Sequence, residues 1–402
     1  MWNQVKTAPW VVIAAGFHQK GGMDKANHAL ADYLLEREIP VHLVTHSADP
    51  GLQKHPLATV HIVARPGNSF YLGEFALAAT GRKVARDVLR KNPSAQIVSN
   101  GGNCVWPGIN WAHYVHCAWT APKRGPISYR LKDALASRRA RRTEKAAFQK
   151  ARIIISNSKR TTAELVKYFG VQPDRVHTVY LGTEGWGPIS PEERASARKL
   201  LQVTEDRPLA AFVGALGYDD RKGFDVLFGA WKQLCAKPEW DVDLVAAGSG
   251  PAVPAWQSQI KAAGLEQRIR LLGFTEDVKT LLAASDVLVS PVRYESYGLN
   301  VQEAICRGIP AVVTASAGVA EQYAPEFAPL LLPNAENIQD LVERLLGWRA
   351  KQQHWLARFQ RFGERLRNRS WRDTAADFVS IVEHQRPAES AALGGLVRYS
   401  NS

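Results

Sequence analysis

The chain has 402 residues, 46% hydrophobic and 22% charged, with 51 Lys+Arg against 38 Asp+Glu and a formal net charge of +13. These proportions belong to a soluble globular chain of two domains, or three, each able to bury its own core, and they exclude disordered, collagen-like and disulfide-scaffold classes. The positive surplus leaves three kinds of partner open: an anionic substrate, an anionic membrane surface or nucleic acid.

In chain order, short β-rich apolar runs alternate with amphipathic stretches of helical length. The earliest apolar run, Trp10–Ala15, is too short for a membrane span or a secretion-signal core. Val11–Ala15 reads as a strand, followed by a Gly-rich turn and a helical pattern through Ala26, Leu30, Leu34 and Leu35. Further strands are expected at Val41–Val44, Val60–Val63, Gln96–Ser99, Tyr114–Cys117, Ile153–Ser156 and Val176–Tyr180, with helices over 70–91, 127–150 and 158–169. Gly182, Gly185, Gly187, Pro188 and Pro191 then crowd one stretch and mark a linker. A second series follows, with strands at Leu209–Val213, Val242–Ala246, Ile269–Leu272, Val287–Ser290 and Ala311–Val313. Helices over 222–235, 253–263, 275–284, 298–307 and 335–348 separate them. The pattern predicts an α/β chain of two doubly wound, parallel-sheet domains, 1–184 and 185–370, facing a cleft at the carboxyl ends of their strands. A last helix, 371–385, is expected to pack back on the first domain, ahead of a loose tail, 386–402.

The charge is concentrated in two segments. Residues 123–152 hold eleven Lys/Arg against Asp133 and Glu144, and residues 349–369 hold seven against Glu364, so the rest of the chain is slightly acidic. Arg138, Arg141, Arg142 and Lys145 share one helical face, and the second segment carries an apolar stripe of Trp355, Phe359, Phe362 and Leu366. Both read as solvated helix faces or as contacts with anionic lipid; no nucleic-acid-binding motif accompanies them. Cys104, Cys117, Cys235 and Cys306 are far apart with no C-x-x-C pair, which argues against zinc and disulfides and for the reduced thiols of a cytoplasmic protein.

The strongest local feature spans 285–303. A strand ends at Pro291, a turn carries Glu295, Tyr297 and Gly298, and a helix containing Glu303 begins. The free N–H groups and dipole of that helix start suit a phosphate, and the two carboxylates suit the hydroxyls of a ribose or another sugar. Glu295-x7-Glu303, with Gly298 between and Gly308-Ile309-Pro310 after, resembles the signature of family 4 retaining glycosyltransferases (glycosyltransferase group 1), which have the GT-B fold. Val213–Leu216 through Arg221-Lys222-Gly223, Gly248–Pro251, Leu272–Phe274, Gly21-Gly22-Met23 and His116 fall where that family has its other landmarks. The resemblance implies that Glu303 holds the donor ribose, while Glu295 and His116 contact the transferred sugar. It implies that Lys222 neutralises the diphosphate and that the backbones of Gly21, Gly22, Tyr297, Gly298 and Leu299 approach sugar and phosphates. Phe274 would neighbour the base.

One departure is Ala215, where the family usually has an arginine; Arg221, beside Lys222, is a candidate replacement. Asp241-Val242-Asp243 has the spacing of a metal-binding pair but opens a strand, so no metal and no cofactor are expected. Trp106, Trp111 and Trp119 near His116 could stack on an acceptor or pack in the core. The resulting expectation is a metal-independent retaining transferase with a nucleotide-sugar donor and a hydroxyl acceptor, cytoplasmic or peripheral on a membrane, with no nucleic-acid partner. The rivals are a nucleotide-sugar epimerase or phosphorylase on the same fold, a non-catalytic nucleotide-sugar-binding protein, and a basic nucleic-acid-binding protein.

Overall fold

A computed structural model describes residues 8–19, 21–122 and 124–385; the tail from 386 and Lys123 lie outside them. The first half contains β1 (Trp10–Ile13), β2 (Gly16–Phe17), α1 (Gly22–Glu36), β3 (Val41–Thr45), β4 (Ser47–Ala48), α2 (Pro50–Lys54), β5 (Ala58–Ile62) and α3 (Phe70–Lys91). It continues with β6 (Gln96–Asn100), β7 (Ile109–Ala112), α4 (Ile127–Lys150), β8 (Ile153–Ser156), α5 (Lys159–Phe169) and β9 (Val176–Thr178). The second half contains α6 (Pro191–Leu200), β10 (Leu209–Val213), α7 (Phe224–Cys235), β11 (Asp243–Ala247), α8 (Val253–Ala262), β12 (Ile269–Gly273) and α9 (Val278–Ala284). After these come β13 (Val287–Ser290), α10 (Leu299–Cys306), β14 (Ala311–Thr314), β15 (Leu331–Leu332), α11 (Ile338–Ala350), α12 (Gln352–Arg367) and α13 (Trp371–His384).

The first sheet has the order β5-β3-β1-β6-β7-β8-β9 and the second β12-β11-β10-β13-β14-β15. Every pairing in both is parallel. This order explains why the central strands are apolar but for the closing Ser156, Ser290 and Thr314: β1, β8, β13 and β14 are buried at every position because helices cover both faces. In each sheet the winding reverses beside the first strand, between β1 and β6 and between β10 and β13. Loops part there and leave a crevice at the carboxyl edge, and the two crevices face each other.

α13 returns to the first domain, where Phe378, Val379 and Val382 complete a core that includes Trp10, Leu30 and Leu34. Trp111 belongs to that core, fully buried with its ring 4.7 Å from Phe378, so it stacks on the protein and not on a ligand.

Two local expectations are corrected. Tyr114–Cys117 is not a strand; the strand is β7, and His116–Ala118 form a 3₁₀ turn. The segment leaves the sheet because its backbone groups are taken by side chains: Val115 N–H donates to Tyr294 Oη at 3.1 Å and His116 N–H to Glu144 Oε2 at 2.9 Å. The linker is also shorter than its Gly/Pro content suggests. Pro191 begins α6 behind a Ser190 cap that accepts from Glu193 N–H at 3.1 Å, a Ser-Pro helix start.

Candidate functional site

The second domain's part of the cleft is built on two turns that leave β10 and β13. After β10, residues 214–223 loop outward and deliver Arg221 and Lys222 at the start of α7. Gly223 makes that turn possible: its φ is 71°, and a Cβ there would collide with the Pro291 carbonyl oxygen. After β13, Arg293 anchors the second turn, clamping Asp225 at 2.6 and 2.9 Å and Glu336 at 2.5 and 2.8 Å. Gly298, at φ 114°, reverses the chain into α10. Asn300 in the first turn of α10 donates to the Val213 carbonyl at 2.9 Å and ties the two turns together.

Glu295 and Glu303 stand on either side of Gly298, and each is met by a lysine. Lys222 Nζ pairs with Glu295 Oε2. Burial pushes the Glu295 carboxyl up, but the charges of Lys222 and Arg221 and hydrogen bonds from Lys222 and the Tyr297 backbone outweigh it and hold the group below the usual carboxylate range. Glu303 differs: burial raises its carboxyl above that range, Lys25 opposes the rise at 3.1 Å, and Glu184 adds to it. Lys25 comes from the other domain, one turn into α1, and also pairs with Glu184 at 3.0 Å while lying 5.6 Å from the centroid of the Trp186 ring.

Arg221 turns into the cleft with its neighbour. Its guanidinium is 5.4 Å from the Tyr114 ring centroid and 3.4 Å from Asp219, and its charge is felt at Glu295. Two adjacent cations therefore face one carboxylate, while Ala215 lies exposed on the loop. Burial pushes the Tyr114 hydroxyl up to about 12 against the charge of Arg221, so it stays a neutral donor. From the Tyr297 side chain nothing reaches the site: the ring is buried and its hydroxyl is taken by Gln302, leaving only the backbone available.

The first domain supplies Gly21 and Gly22 at the start of α1, with Gly21 at φ 75°. Gly22 abuts Leu299 across the cleft so closely that a Cβ would meet its Cδ1 at 2.8 Å. His116 follows β7, its Nδ1 2.6 Å from Glu144 Oε1 and its ring 4.6 Å from Tyr114. Arg141 donates to the carbonyls of His116 and Trp119 at 3.2 and 3.0 Å, so it faces inward and leaves the exposed cationic face to Arg138, Arg142 and Lys145. Phe274 lies apart on an exposed loop, 72% accessible.

Sequence reasoning missed Lys25, Glu184 and Glu144. Glu144 had a signal, being one of only two acids in a segment of eleven cations. Lys25 had only its place three residues after the Gly-Gly pair. Asp241 and Asp243 are structural: Arg349 holds the first at 2.8 and 2.5 Å, and Arg207 and Arg268 hold the second at 2.6 and 2.7 Å. Among the described residues no group of three or more His, Cys, Asp or Glu is arranged to hold a metal ion.

Two family profiles match the chain in tandem: Glycosyltransferase Family 4 over residues 20–184 and Glycosyl transferases group 1 over residues 207–348. An uncharacterised glycosyltransferase of Methanocaldococcus jannaschii is 30% identical over 48% of this chain and 50% of its own length. The alpha-D-kanosaminyltransferase of Streptomyces kanamyceticus is 27% identical over 52% and 54%. A D-inositol 3-phosphate glycosyltransferase of Geodermatophilus obscurus is 28% identical over 78% and 74%. The chain thus spans about half the length of the first curated relatives it matches. Among solved structures, WaaG, a glycosyltransferase involved in lipopolysaccharide biosynthesis, superposes with a TM-score of 0.69 at 18% identity, covering 93% of this chain and 99% of that one. Anabaena HepE in complex with UDP and glucose superposes at 0.67, 18% identity and 94% and 99% coverage. At that identity the likeness shows the fold: two facing Rossmann-like domains.

Proposed function

The chain belongs to the group 1 glycosyltransferases, and from that premise we propose that it moves a sugar from a nucleoside diphosphate to an acceptor hydroxyl with retention of anomeric configuration and without a metal. The observation that carries the reading is the division of charge around Gly298: one carboxylate held ionised by two cations, the other raised by burial and met from the opposite domain.

In that reading the ribose diol takes the place of Lys25 at Glu303, because a carboxylate accepts two vicinal hydroxyls. The transferred sugar's hydroxyls lie at Glu295. The diphosphate lies over Lys222, Arg221 and the N–H groups at the start of α10, with the glycines of α1 above it. As the C1–O bond to the diphosphate breaks, its electron pair goes to the phosphate oxygen, where Lys222 and Arg221 stabilise the charge. The acceptor oxygen bonds to C1 from the same face, and its proton passes to the departing phosphate oxygen, so no protein base is needed. His116, oriented by Glu144 through Nδ1, presents Nε2 to the sugar.

Thermal stabilisation by UDP-, GDP-, ADP- and dTDP-sugars identifies the donor, since a ligand that binds the folded state raises Tm. Transfer is then followed by NMR with and without EDTA. An inverted anomeric product overturns the retaining mechanism, activity abolished by EDTA overturns metal independence, and the absence of stabilisation by any donor overturns the donor site.

A further inference from the structure

We propose that the outer edge of the first domain, formed by α4 and the start of α3, docks on a bilayer of anionic lipid. Ile127, Leu131 and Leu135 are 73%, 63% and 68% exposed, among the most exposed large apolar side chains of the described residues. They recur every fourth residue, and the same helical ladder continues through Arg138, Arg142 and Lys145, all exposed. One face of α4 is therefore apolar in its first half and cationic in its second. Leu72 and Phe75, 47% and 51% exposed, stand on the neighbouring α3. Arg139 joins the helices, pairing with Glu74 at 3.1 Å and lying 3.3 Å over the Phe75 ring. Three exposed large apolar side chains on one helical face, with two more on the adjoining helix and cations beside them, is the composition of an interfacial surface and not of an ordinary water-facing one.

Charge complementarity selects the occupant. Arg130, Arg138, Arg142 and Lys145 have no ion-pair partner within the described residues, so their charge is directed outward. A second copy docking on this face would set two strongly cationic segments against each other, whereas anionic headgroups neutralise the cations while acyl chains take the leucines. The other basic segment also has cations unpaired within the described residues, Lys351, Arg358 and Arg361, but lacks the apolar face. On α12 the apolar residues Trp355, Phe359, Phe362 and Leu366 are buried in the second domain. Around it Arg349 is held by Asp241, Arg365 by the Gln322 carbonyl, Arg367 by the Cys306 carbonyl and Arg369 by Asp377.

The inner face of α4 carries Glu144 and Arg141, which hold His116 and its turn. A bilayer on the outer face lies about one helix diameter, ~10 Å, from the cleft. The acceptor that fits is a hydroxyl on an amphiphile whose apolar part stays in the membrane. This last step rests on the transferase reading; the docking face does not.

The test is flotation of the full chain with vesicles of phosphatidylcholine, with and without phosphatidylglycerol. The parent binds the anionic vesicles and is released by salt. Leu131→Ser/Leu135→Ser weakens binding by about tenfold or more, Arg138→Gln/Arg142→Gln by roughly tenfold, and Arg358→Gln/Arg361→Gln on α12 leaves it unchanged. Stabilisation by the donor, retained in all three variants, shows that each is folded. Absence of binding to anionic vesicles at low salt, binding indifferent to the leucine pair, or a dimer that the leucine pair disrupts without any vesicle binding each overturns the proposal. Vesicle binding without donor stabilisation removes the transferase reading and leaves the docking face standing.

Discussion

Glu295 and Glu303 are eight residues apart on one turn and helix, and burial pushes both carboxyls up, yet they lie on opposite sides of the ordinary carboxylate range. The difference is the number of cations each can see. Glu303 has only Lys25, and Glu184 competes for it. Lys25→Met removes the opposing charge, so the Glu303 carboxyl rises further and is protonated at a higher pH. A protonated carboxyl cannot accept from two hydroxyls, so the acidic limb of donor binding should move to higher pH. The expected change is a donor KM raised roughly threefold to tenfold at mildly acidic pH and recovering as pH rises. A KM ratio to the parent that is flat across pH would reject this account of Lys25. Glu144→Ala acts through His116: it leaves the His116 N–H and Nδ1 without their partner, costing about 1–3 kcal/mol of stability, and kcat should fall more than donor affinity. The Glu-x7-Glu pair, Lys222, the Gly-Gly pair and His116 were legible because they recur as a spaced motif. Lys25 and Glu144 were not, since their partners lie 278 and 28 residues away in the chain.

Alternation of strands and helices gave most of the elements of both sheets; it missed the two-residue β15 and misplaced β7 onto a segment whose backbone is satisfied by something other than a neighbouring strand. Tyr114–Cys117 has a strand's composition, but a tyrosine hydroxyl and a glutamate take its N–H groups. On the turn before α7, Gly223→Ala places a Cβ against the Pro291 carbonyl in a left-handed backbone. Both turns should shift, costing more than about 2 kcal/mol, read as a lowered Tm together with lost donor stabilisation. Strands β3 and β5 carry a second element-scale prediction. His42 Nδ1 and His61 Nε2 are 3.2 Å apart, and both imidazoles are held below their ordinary range. Burial is the main cause for each; His61 and Lys91 add to it at His42, and Lys83 at His61. A lowered imidazole pKa favours the neutral form in the folded state, so this stability is fully present above the unfolded value of about 6.5. It is lost as pH falls below that value, because the unfolded chain takes up protons first. Tm should therefore decline below that pH, and His42→Thr/His61→Val should flatten the decline, as measured by thermal denaturation across pH.

Two domains of α/β type were legible as two runs of the same pattern, but their degree of interlock was not, because it depends on contacts between runs. The turn that carries Glu295 is held by both domains. Tyr294 is fully buried, with its hydroxyl between Val115 N–H and Glu164. Ser296 Oγ donates to the His113 carbonyl at 2.5 Å, and the Ser296 carbonyl accepts from Ser158 Oγ at 2.7 Å. Tyr297, from the second domain, is part of the first domain's core. Glu321 caps α5 from across the boundary, accepting from Lys159 and Arg160 N–H at 3.0 and 2.7 Å and from Tyr180 Oη at 2.7 Å. Closure around a donor must hinge elsewhere than at this seam, and the seam makes each domain's folding depend on the other's. Calorimetry of the parent should accordingly show one transition, since neither domain can unfold without exposing Tyr297 or stripping Glu321 of its partners. In Glu321→Ala the free N–H groups at the α5 start lose a charged acceptor, a loss of about 2–4 kcal/mol across the seam. The first-domain transition should then move to lower temperature and the single peak broaden or split. Two separate peaks in the parent would show that the seam carries no coupling and that the domains fold independently.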